Sequence, residues 1–138
     1  MMDTLYANFD GASRGNPGPA SAGAVLYDGT GRVLARAGKY LGENTNNYAE
    51  YNGLLLALKL AREHGVRRLV IRADSQLIVR QIEGRYKVKA ANLIPLYQRA
   101  RELMAHFERV RVEHGPREKN SEADRLANLA IDEHFAKR

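Results

Sequence analysis

The chain has 138 residues, with 22 Lys and Arg against 16 Asp and Glu, a formal charge of +6 and a pI near 9.8. That length gives room for a single domain, residues 1–138, with a real core, and the positive balance favours a polyanionic partner. No cysteine is present, which excludes disulfides, thiolate metal sites and a cysteine nucleophile; the longest apolar stretch, Leu54 to Leu58, is far too short to cross a bilayer, so a soluble cytoplasmic protein without membrane association is expected.

Leu5 to Asp10 reads as a buried strand, followed by Gly11 to Pro19, a turn-rich stretch expected to lack regular structure. Ser21 to Tyr27 and Arg32 to Tyr40 read as two strands joined through Asp28-Gly29-Thr30-Gly31, an antiparallel opening. Tyr51, Leu54, Leu55, Leu58 and Ala61 recur at helical spacing, which predicts a helix from about Asn47 to His64 that stops at Gly65 and carries Glu50 in its first turn. Leu69 to Ala73 is a short strand, and Ser75 to Ile82 a helix ending at Gly84. The basic segment Arg85-Tyr86-Lys87-Val88-Lys89 leads to a helix from near Asn92 to Phe107, with Pro95 tolerated in its first turn. Val110 to Glu113 is the last strand, and Ser121 opens a helix whose buried face is Ala123, Leu126, Ala127, Ala130 and Ile131.

Three strands followed by alternating helices and strands predict an α/β fold. Its sheet is mixed and five-stranded, with three antiparallel strands, then parallel βα units, and helices on both faces. In that arrangement Asp10, Glu50, Asp74 and Asp124 stand where a strand ends or a helix begins, and they can converge on one edge of the sheet. Each has a plain structural alternative. Asp10 suits a turn, Asp74-Ser75 a cap, and Asn47 to Glu50 and Ser121 to Asp124 have the spacing of capping boxes. Clustered carboxylates at neutral pH need cations to offset their repulsion, and oxygen ligands point to magnesium or manganese.

The flanking residues weigh toward the shared site. Asp10-Gly11-Ala12 with Gly15-Asn16-Pro17-Gly18, Thr45-Asn46-Asn47-Tyr48-Ala49-Glu50, Asp74-Ser75-Gln76 and Asn120-Ser121-Glu122-Ala123-Asp124 occur in order along nearly the whole chain. Together they resemble the motifs of the type 1 ribonuclease H family. The resemblance implies an endonuclease that hydrolyses the RNA strand of an RNA/DNA hybrid, leaving a 5′-phosphate and a 3′-hydroxyl. Two Mg²⁺ ions, with Mn²⁺ able to substitute, are expected with substrate, and two metals about 4 Å apart can activate water, offset developing charge and receive the leaving oxygen. By the same resemblance Asp10 bridges the metals, with Glu50, Asp74 and Asp124 as the other ligands.

The resemblance further assigns Asn16, Asn46 and Gln76, with Asn47 and backbone near Gly11, to the ribose 2′-hydroxyl that separates RNA from DNA. Asparagine in loops and helix starts is also ordinary turn and cap chemistry. Thr45 resembles part of a pocket for a DNA phosphate. Glu43 and Ala90 depart from that pocket's usual residues, so a weaker DNA grip is expected. The segment between Ile82 and Asn92 is too short for the basic protrusion of many relatives, which suggests a compact form in which Arg85, Lys87 and Lys89 partly substitute.

Before Asp124 the family commonly places a mobile histidine that assists turnover. His114 and Arg117 are the two candidates here, and compact relatives favour Arg117. A monomer is expected. Duplex RNA is the nearest alternative substrate, and a binding module that lost turnover is the alternative from another class.

Overall fold

A computed structural model describes residues 4–115 and 120–137. The elements follow the order β1 (Thr4–Ser13), β2 (Gly18–Tyr27), β3 (Val33–Asn44), α1 (Asn46–Glu63), β4 (Arg68–Ala73), α2 (Gln76–Ile82), α3 (Ile94–Met104), β5 (Arg109–His114) and α4 (Ser121–Ala136). They build one five-stranded sheet in the order β3-β2-β1-β4-β5. β1 pairs antiparallel with β2 and β2 with β3, whereas β1–β4 and β4–β5 are parallel. The expected mixed sheet is therefore present.

Helices cover both faces, and two glycines show how closely. A Cβ on Gly11 would lie 2.4 Å from the Ala49 carbonyl carbon and the Glu50 nitrogen, and one on Gly23 would lie 2.4 Å from the Ala123 oxygen. Gly11 sits opposite Ala22 and Asp10 opposite Gly23, so Gly11 and Gly23 face opposite sides of the sheet. It follows that α1 packs on one face and α4 on the other. The main core lies on the α1 side, with Leu5, Ala7, Phe9, Leu54, Leu58, Leu69, Ile71 and Ile78 buried. On the other side Ala123, Ala127 and Ile131 are buried, Leu126 and Ala130 are half-buried, and the Ser21 hydroxyl donates to the Ala127 carbonyl. No helix among the described residues is long and apolar enough to cross a membrane.

Several boundaries differ from the sequence expectation. The stretch from Gly11 to Pro19 is mostly strand: β1 continues to Ser13, β2 begins at Gly18, and only residues 14–17 connect them. Hairpin pairing, Gly11 with Ala22 through Ser13 with Ala20, outweighs the local turn composition. Likewise β3 runs on to Asn44 through an irregularity next to Gly42, whose φ of +76° suits glycine. Helix α3 is shorter than expected, ending at Met104, because the His106 and Phe107 amides bond three residues back and tighten the turn.

The capping boxes are absent too. Thr45 is the N-cap of α1, its hydroxyl accepting from Tyr48 N–H at 3.2 Å, which moves Glu50 past the first turn. Asn120 stands at the N-cap of α4 and makes no side-chain cap bond. Both acids are thus released from capping. Ser75 does cap α2, accepting from Ile78 N–H at 3.3 Å.

Candidate active site

Asp10 lies inside β1, not at its end. The parallel ladder with β4 stops at Asn8 opposite Arg72, and continuing that register by two places sets Asp10 beside Asp74, just past the carboxyl end of β4. Gly11 and Gly23, the neighbour and the cross-strand partner of Asp10, admit the backbones of α1 and α4 from either side. Two helices are thereby drawn to one aspartate.

Asp10, Glu50 and Asp74 each offer a carboxylate oxygen, and the three oxygens lie within 4.8 Å of one another. Asp124 is not among this trio, although Asp10 is within hydrogen-bonding reach of it as well as of Glu50. Asn120 secures the start of α4 by donating from Nδ2 to the Phe9 carbonyl at 2.6 Å, one residue before Asp10. The three carboxylates, Asn46, Asn47, Ser75 and His114 line one open cleft of about 560 Å³.

The electrostatics follow from burial. Asp10 is only 5% exposed, and burial, then the nearby Asp74 charge, push its carboxyl well above the usual range. Glu50 is pushed up further by burial, then by Asp10 and Asp74, with the Gly11 N–H opposing. That same N–H donates to Asp10 Oδ1 at 2.9 Å. Without a cation the two acids therefore hold protons near neutrality that isolated carboxyls would release. Glu50 Oε2 is buried and has no hydrogen-bond partner among the described residues. An orphaned buried carboxylate oxygen beside two other carboxylates is a donor set that fits a hard divalent cation.

The other expected residues divide. Asn46 and Asn47 are exposed on the first turn of α1 and reach the cleft. Asn16 is also exposed, but its Oδ1 accepts from Asn46 N–H at 3.1 Å, so it holds the start of α1 in place. Thr45 is occupied as a cap through its hydroxyl lone pair, which leaves its proton available to donate. Gln76 is exposed at the start of α2 and lines an adjoining groove with His114. His114 ends β5 and is exposed beside the carboxylates. Arg117 lies outside the described residues.

Sequence reasoning gave no role to Gly23 or Asn120. Asn120 belongs to a motif, which was its only signal. Gly23 had none, because its use depends on standing opposite Asp10 across a strand pair.

The sequence model of the family described as Reverse transcriptase-like matches residues 8–130. The chain is 44% identical to Ribonuclease HI of Halobacterium salinarum over 94% of its own length and 65% of that protein's, so it spans a little under two thirds of this relative. The crystal structure of RNase H1 from the same archaeon superposes with a TM-score of 0.90, covering 94% of this chain and 98% of that one. An N-terminal RNase H domain from Mycobacterium tuberculosis superposes with a TM-score of 0.92 at 42% identity, covering 97% of each chain. LC11-RNase H1, solved in complex with an RNA/DNA hybrid, is 39% identical with a TM-score of 0.90, over 95% of this chain and 99% of that one.

Proposed function

Since the chain belongs to the ribonuclease H family, we propose that it is a divalent-metal-dependent endonuclease that hydrolyses the RNA strand of RNA/DNA hybrids. The observation that carries this reading is the convergence of Asp10, Glu50 and Asp74 within 4.8 Å, with a Glu50 oxygen buried and unpartnered among the described residues. LC11-RNase H1, solved with a hybrid, supports the substrate.

Asp10, Glu50 and Asp74, whose carboxylate oxygens lie within 4.8 Å of one another, would hold the metal together with Asp124. Magnesium is the proposed ion, two per site with substrate, and manganese substitutes. Bound there, the ions supply the Lewis acidity that makes an attacking water acidic and offsets charge on the phosphate and the leaving oxygen. Asn46, Asn47 and the backbone near Gly11 approach the ribose from the α1 side of the cleft. Gln76 does so from the α2 side. Asn16 contributes through the Asn46 amide that it holds, and Thr45 offers a hydroxyl proton to a DNA phosphate.

The same reading makes this a compact form, monomeric and cytoplasmic. Residues 83–93 connect α2 directly to α3, with exposed Arg85, Lys87 and Lys89 in place of a protrusion. His114 and Arg117 remain the candidates for assisting turnover, with Arg117 favoured.

A titration of divalent metal against cleavage of a labelled hybrid, run beside RNA/RNA and DNA/DNA duplexes of the same sequence, tests the proposal. Hybrid cleavage that is abolished by chelation and restored by Mg²⁺ or Mn²⁺ is expected. Metal-independent cleavage, or binding of the hybrid without cleavage, overturns it. Preferred cleavage of duplex RNA transfers the activity to that substrate.

A further inference from the structure

The carboxylate trio leaves open what sets the orientation of Asp124, which stands outside it. Asp124, Asn128 and Asp132 recur at intervals of four on α4 and form one row along the helix. The Asn128 side-chain amide donates from Nδ2 to the Asp124 carbonyl at 3.0 Å and to Asp124 Oδ1 at 3.3 Å. At its other end Asn128 Oδ1 accepts from Arg14 Nη2 at 3.4 Å. That guanidinium nitrogen also reaches the Asn128 carbonyl at 3.4 Å and pairs with Asp132 Oδ1 at 2.8 Å.

A bond from Asn128 to a carbonyl one turn back would by itself be common helix-surface chemistry. Two features set this one apart. The amide also grips the Asp124 carboxylate, and its far end meets an arginine from the connection between β1 and β2, 114 residues away in sequence. An amide has a donor end and an acceptor end, so a carboxylate on one side and a guanidinium on the other allow one orientation only. Reversing the amide would set oxygen against carboxylate and nitrogen against guanidinium.

We propose that Asn128 and Arg14 are positioning residues for a divalent cation at this site. Asn128 holds Asp124 Oδ1, so that the second carboxylate oxygen is presented toward Asp10 and the ion. Arg14, anchored on Asp132, keeps the Asn128 amide the right way round. The proposal rests on the reading of Asp124 as a metal ligand. Outer partners of this kind change metal affinity or activity by about 10–100-fold.

The test is Mn²⁺ alone, titrated calorimetrically into the substrate-free protein and into Asn128→Ala, Arg14→Lys, the double variant and Asp124→Asn, with thermal melts to confirm folding. Arg14→Lys keeps the charge but puts a mobile point charge in place of the rigid guanidinium whose Nη2 reaches Asn128 and Asp132 together. Asn128→Ala is expected to weaken Mn²⁺ binding about tenfold, and Arg14→Lys by a smaller factor. The double variant should be no weaker than Asn128→Ala, because Arg14 acts through Asn128.

If Asn128→Ala and Arg14→Lys both bind within about twofold of the parent while Asp124→Asn binds more weakly, the positioning role is wrong and the ligand reading stands. If Asp124→Asn binds as the parent does, both fall. Additive losses in the double variant overturn the path through Asn128. Should Asn128→Ala fail to fold, the exposed Arg14→Lys decides alone, and parental affinity there overturns the proposal.

Discussion

Asp10 carries two opposed consequences at the scale of a single residue. Its carboxyl and that of Glu50 are held above the ordinary range mainly by burial, so the metal-free folded protein keeps protons that the unfolded chain releases above about pH 4. Fewer protons on the unfolded state mean that stability falls as pH rises from about 4 through neutrality. Asp10→Asn should therefore abolish nearly all hybrid cleavage and yet raise stability in chelator at pH 8, by on the order of 1–3 kcal/mol, with the difference shrinking toward pH 4. Melting curves at the two pH values check this. A variant that melts below the parent at pH 8 would contradict the repulsion argument, and retained cleavage would remove Asp10 from the mechanism. His114 is exposed in the same cleft, and the sizes of two losses separate it from Arg117. Turnover of Arg117→Ala should fall more than that of His114→Ala. The reverse order would give the role to His114.

At the scale of elements, the site is held by helices pressed against glycines. A Cβ at Gly23 would meet the Ala123 oxygen at 2.4 Å, and that atom is backbone and cannot rotate aside. Gly23→Ala should push α4 off the sheet, costing about 1–3 kcal/mol and moving Asp124 with it. Cleavage at saturating metal should then drop further than the loss of folded protein explains. Parental Tm together with parental turnover would mean that α4 yields without displacing Asp124. The segment between α2 and α3 makes a different prediction. Lys87 and Lys89 are exposed on it, and Lys87 shares a groove with Tyr86 and Tyr97. If they meet phosphates, replacing both with Ala should reduce the slope of log affinity against log salt by about one per lost contact. An unchanged slope for the hybrid would make this segment a solvated surface.

For the whole molecule, metal binding and folding are linked, because the trio is assembled only when β1, α1 and β4 are packed. Mg²⁺ or Mn²⁺ should raise Tm at pH 8 and do so much less at pH 5, where protons already occupy Asp10 and Glu50. An equal shift at both pH values would place the ion elsewhere. The sequence by itself determined the order of elements, the mixed sheet, the helix faces and the acids, because hydrophobic period, turn residues and motif order are local properties of the chain. It also marked Asn46, Asn47 and His114, which the fold does bring to the cleft. Tertiary structure decided that the stretch from Gly11 onward is strand, since a partner strand supplies hydrogen bonds that composition cannot foretell. It also released Glu50 and Asp124 from capping by seating Thr45 and Asn120 at the helix starts. The pairing of Asp10 with Gly23, the hold of Asn120 on Phe9 and the bridge from Arg14 to Asn128 join residues far apart in sequence. Such contacts depend on register and crossover geometry, which arise only when the sheet closes around its core.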